Sequence, residues 1–104
     1  MPMHRFQRWR DVLQVAPNTA TVGKIVDDYV DTIAPLFQSL PAECQRALTK
    51  PIDVQGAAVT LLQAELSYDG SDDVRDALHE IAHTLAAASG RLTSLHGGPF
   101  RAAD

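Results

Sequence analysis

Two long stretches of helical periodicity meet in this chain with almost nothing between them. From Val54 to about Asp69 the apolar residues Val54, Ala57, Ala58, Val59, Leu61, Leu62, Leu66 and Tyr68 surround most of a helix. From Asp72 to about Leu95, Val74, Leu78, Ile81, Leu85, Leu92 and Leu95 recur on one side. Between them, Gly70 reads as a left-handed helix stop and Ser71 as an N-cap, with Asp72 and Asp73 in the next first turn, where the helix dipole favours acids. So short a link folds the second helix back antiparallel on the first. A helix apolar around most of its circumference is ordinarily the central one of a bundle, which assigns that place to residues 54–69.

Upstream, the pattern stays helical. Phe6, Trp9 and Leu13 share one side of residues 3–15, and Pro17 with Asn18 ends that segment. From Thr21, the positions Val22, Ile25, Val26, Tyr29, Ile33, Leu36, Phe37 and Leu40 keep a single stripe, with Lys24, Asp27, Asp28 and Asp31 opposite. Pro35 interrupts it by removing a donor, so the spacing predicts a kink or a break near Ala34. Pro41 opens a short helix carrying Cys44, Ala47 and Leu48, and Asp53 is placed to cap the next. Sustained two-residue alternation and hairpin turns are missing. The expectation is an all-α fold, a compact four- or five-helix bundle with an antiparallel C-terminal helix pair. Residues 1–17 form a basic-aromatic helix or arm packed on the bundle, 18–96 the bundle core, and 97–104 a tail expected to fray after Gly97-Gly98-Pro99. At 104 residues such a domain buries roughly 65% of its unfolded surface, enough to fold alone.

The charge balance narrows the partners. The net charge is −4, but Arg5, Arg8 and Arg10 crowd an acid-free head, leaving an acidic body. An acidic body argues against broad nucleic-acid binding, which needs a basic footprint, so only an accessory role using the Arg5/Arg8/Arg10 head stays open. Phe6 and Trp9 are expected to dock on the bundle while the arginines meet acids such as Asp27, Asp28 and Asp31. Those three aspartates read as a solvated helix face. The first fifteen residues lack a signal-peptide apolar run, and no stretch approaches the length of a membrane span. Cys44 is the only cysteine; a lone thiol reads as a small buried hydrophobe and points to a reducing, cytoplasmic setting.

One stretch carries chemistry. His79-Glu80-Ile81-Ala82-His83 matches H-E-x-x-H, in which two histidines a helical turn apart share one Zn²⁺ and the adjacent glutamate acts as general base on metal-bound water. Over about ten residues it resembles the active-site helix of the zincin metallopeptidases, with uncharged neighbours Ala77, Thr84 and Leu85. The resemblance implies His79 and His83 as ligands, Glu80 as base and zinc as cofactor. That family takes its third ligand from downstream and holds substrate along a sheet edge. Here no glutamate follows Glu80, the residue six beyond His83 is Ser89, His96 lies too far along a continuous helix, and no strand is indicated. The periodicity therefore predicts all three as solvated side chains turned away from the Leu78/Ile81/Leu85 side, with no carboxylate placed to close a metal cage.

Glu65 stands apart inside the apolar sector of its helix. A carboxylate there must be paired. A structural bond to an arginine or tyrosine is one expectation; a general acid or third metal ligand, brought to the last helix by the antiparallel fold, is the other. Ala82, Ala86 and Gly90 recur every fourth residue and let helices approach closely, either within the bundle or between two copies. Taken together, the sequence predicts a binding protein without a cofactor. It associates with itself or another protein through the Ala82/Ala86/Gly90 flank and the Phe6/Trp9 head, with a zinc-dependent hydrolase at His79, Glu80 and His83 as the alternative.

Overall fold

A computed structural model describes the backbone of residues 2–101 and the side chains of residues 8–96. Among these the elements are α1 (Pro2–Gln14), α2 (Thr19–Ile33), a 3-10 turn (Ala34–Ser39), α3 (Ala42–Ala47), α4 (Val54–Ser67) and α5 (Asp72–Arg101). The fold is all-α, and α4 and α5 pack against each other as an antiparallel pair.

Local chemistry sets most of the boundaries. Asn18, expected only to end the first helix, caps α2 by accepting from the Thr21 amide at 2.8 Å. Asp53 caps α4 through the Gly56 amide at 3.3 Å, and Ser71 caps α5 through the Val74 amide at 3.3 Å. Pro35 breaks rather than kinks the helix: α-geometry stops at Ile33 and the tighter 3-10 turn takes over. Gly70 differs from expectation. α4 ends as Tyr68 turns extended (φ −76°, ψ 130°), and Gly70 has no left-handed φ. Glycine here lets the Tyr68 ring lie close over the backbone; a Cβ at residue 70 would require that ring to shift. α5 also continues past Gly97, Gly98 and Pro99 to Arg101. Extending an established helix is far easier than starting one, so two glycines weaken it without ending it.

The central helix is α5, not α4. It is packed by α4, α1 and α2 together. At 1.5 Å per residue its thirty residues span about 45 Å and set the 49 Å long axis of the molecule. Contact on three sides buries a wider arc of α5 than one apolar stripe: Leu78, Ile81, Ala82, Leu85 and Ala88 are enclosed, and Glu80 and Thr84 with them. α4 is peripheral. Its Ala57, Ala58, Leu61 and Ala64 enter the core, but Val59 and Leu66 stay exposed. An apolar circumference identified a helix here without locating the bundle centre.

α1 and the turn that follows it are held to the body by several contacts. Trp9 meets Tyr29 edge-to-face with ring centroids 5.5 Å apart, Leu13 is buried, and Arg91 Nε donates to the Ala16 carbonyl at 2.9 Å. The Phe6 and Arg5 side chains lie outside the described residues. Among those described, no helix is long and apolar enough to cross a membrane.

Candidate metal centre

The antiparallel pairing brings Glu65 of α4 beside His79 of α5, fourteen residues on in sequence, with Glu65 Oε2 2.6 Å from His79 Nδ1. The histidine belongs to the exposed side of α5, while Glu65 sits half-buried at the edge of the helix interface. His83, one turn beyond His79, stacks obliquely on it, with centroids 4.1 Å apart and planes tilted by 39°. One donor atom from each of Glu65, His79 and His83 lies within 4.8 Å of the other two. A tetrahedral zinc bound to nitrogen and oxygen at about 2.0–2.1 Å keeps its ligand atoms roughly 3.3 Å apart. Small rotations of two exposed imidazoles close that difference.

This corrects the expectation that no carboxylate converges on the histidines, and that Glu65 bonds an arginine or tyrosine. The third donor comes from the helix before the histidine pair, not from downstream as the zincin pattern has it.

Glu80, by contrast, is not a solvated neighbour of the histidines. It is 6% exposed, and its Oε1 receives Arg10 Nη1 at 3.1 Å across the α1–α5 interface. Next to this pair, Thr84 Oγ1 donates to the Glu80 carbonyl at 2.8 Å and also interacts with the buried Tyr29 hydroxyl. Burial, with a further push from the Glu80 charge, holds Tyr29 ionisation well above its usual range. One residue of helix rotation separates Glu80 from His79 by about 100°, which is the difference between the α1-facing side and the side facing solvent.

The remaining candidates are dispersed. Arg10, expected to meet the α2 aspartates, is engaged by Glu80 instead. Asp31 pairs with Lys50 at 2.9 Å, a bond that raises the lysine's affinity for its proton, and Asp28 approaches Lys24 at 3.9 Å. Ala82 is buried inside the bundle, Ala86 is half-buried, and Gly90 faces open space. Trp9 borders a shallow apolar groove with Arg8, Val12 and Thr32, remote in sequence from the α4–α5 cluster.

Comparison with family models, with curated proteins and with solved structures finds no match to this chain. The functional reading therefore rests on the site's own chemistry.

Proposed function

We propose that the chain is a small helical metal-binding protein whose Glu65, His79 and His83 hold one divalent ion of the zinc type, and that it works by binding rather than by hydrolysis. The observation that carries this reading is the convergence of the three donors across the α4–α5 interface within 4.8 Å. Two imidazole nitrogens and one carboxylate oxygen suit borderline ions such as Zn²⁺; Mg²⁺ and Ca²⁺ require mostly oxygen. The same convergence bears on the objection the sequence raised, because a third donor atom lies beside the two histidines.

Hydrolysis receives no comparable support. The glutamate that the zincin pattern assigns as base is directed to the α1 side and neutralised by Arg10. A zinc-bound water needs a base within hydrogen-bond reach, and Glu80 is turned away from that position. The nucleic-acid reading loses Arg10 from its basic head in the same way.

Metal analysis and calorimetric titration of the chelator-stripped protein test the proposal. One Zn²⁺ per chain is expected, with no displacement by excess Mg²⁺, and binding is lost in His79→Ala/His83→Ala. A stripped protein that takes up no zinc, or an uptake unchanged in that double variant, overturns it.

A further inference from the structure

We infer that zinc at this centre joins two copies of the chain over the exposed α4–α5 flank, with Asp76 of each copy supplying the remaining ligand to the ion held by the other. The inference rests on the metal reading above and goes past it by naming the partner.

The first argument is coordination. Three ligands come from one chain, and zinc takes four. Both histidines are exposed and the carboxylate is at the interface edge, so the remaining position is open to solvent rather than to the bundle. It is filled from outside.

The second argument is the surface around it. Beside Glu65, α4 presents Leu66 at 86% exposure, the half-buried Leu62, and Val59 at 48%, residues that share one side of the helix at spacings of three and four. The α5 side of the same flank offers Gly90, where nothing lies within 4 Å of an added Cβ, so another backbone can approach closely there. An exposed leucine next to a metal centre has no role in holding this monomer together.

The third argument, charge, selects the occupant. Asp76 is exposed one turn before His79 on the same side of α5, with Asp72 one turn earlier. Without metal this face carries Glu65 and Asp76 beside an Asp72–Arg75 ion pair at 3.5 Å, a net negative charge, and two copies repel. A zinc ion held by one carboxylate and two neutral imidazoles leaves a net charge of one positive unit beside Asp76. The face then contains both an electrophilic centre and an anionic donor. That is the condition for an isologous two-fold contact, in which each half meets its complement on the other copy. A different partner would need only one of the two halves.

Sedimentation of the stripped 104-residue chain at tens of micromolar tests the inference. The mass is expected to double from 11.3 kDa on adding one equivalent of zinc, and to stay unchanged with magnesium. Asp76→Asn and Leu66→Glu, each checked for native helicity, are expected to bind one zinc per chain yet remain monomeric. His79→Ala/His83→Ala is expected to lose both zinc and association. A zinc-loaded wild type that stays monomeric overturns the dimer and leaves the metal centre standing. A dimer that forms without zinc, or survives Asp76→Asn, also overturns the inference. Failure to bind zinc at all removes the metal reading beneath it.

Discussion

Arg10 and Glu80 are seventy residues apart in sequence and 3.1 Å apart in space, a pair that fastens the first helix to the last and turns Glu80 away from the neighbouring histidines. The pair is asymmetric in exposure: the Glu80 side chain is 8% accessible and the Arg10 side chain 29%. Removing the cation therefore leaves a nearly buried anion without its partner. Arg10→Met is expected to cost about 2 kcal/mol, below the value for a fully buried pair because solvent reaches the arginine. Adding Glu80→Leu should recover most of that loss, since the lone charge goes too. Urea denaturation of both variants checks this; a single-variant loss under about 0.5 kcal/mol would show that the pair is energetically idle.

The same helix supplies a second contrast. Leu61 is fully buried between α4 and α5, and Leu66, five positions on, is almost entirely exposed. In metal-free protein, Leu61→Ala is expected to lose about 3 kcal/mol, whereas Leu66→Ala stays within about 0.5 kcal/mol of wild type. Equal losses at the two positions would mean that α4 packs in a different register.

Much of the fold was legible in the sequence. Gly70-Ser71 between two periodic runs specified the antiparallel pair, and Asp53, Ser71 and Pro35 marked boundaries close to where they occur. What escaped was which helix is central, because periodicity reports the apolar arc of a helix but not how many neighbours cover it. For that reason Glu80 looked solvated: its position lies outside the leucine stripe, and only packing by α1 encloses it. The site was half legible. H-E-x-x-H picked out the two histidines, and Glu65 was conspicuous as a carboxylate in an apolar sector. Pairing Glu65 with His79 required the register of the hairpin, which centres these two residues on Asp72. Arg10–Glu80 had no local signal, since two helices seventy residues apart determine it.

Cys44 gives a pH dependence. The thiol is fully enclosed, and burial pushes its pKa up from 9.0 to about 11, with Glu43 adding to the shift. Between these values the unfolded chain has released the proton while the folded chain keeps it. The unfolded state thus binds fewer protons, and stability falls as pH rises. The Cys44 contribution is intact below about pH 9 and lost by about pH 11. Lys50 and Tyr29 also titrate on the alkaline side, so the measurement is the difference between wild type and Cys44→Ala from pH 8 to 11. The wild type should lose stability more steeply; parallel curves would contradict the assignment. Alkylation of native protein at pH 8 should likewise be much slower than of the unfolded chain.

The central claim is that the carboxylate serving the histidines is Glu65 and not Glu80. A chelator-competition measurement of zinc affinity separates the two directly, using Glu65→Gln and Glu80→Gln in chains shown to be folded. Glu65→Gln is expected to weaken binding by about tenfold or more, a loss of at least roughly 1.4 kcal/mol, while Glu80→Gln keeps the wild-type affinity. Wild-type zinc affinity in Glu65→Gln would contradict the account, as would a large loss of affinity in Glu80→Gln.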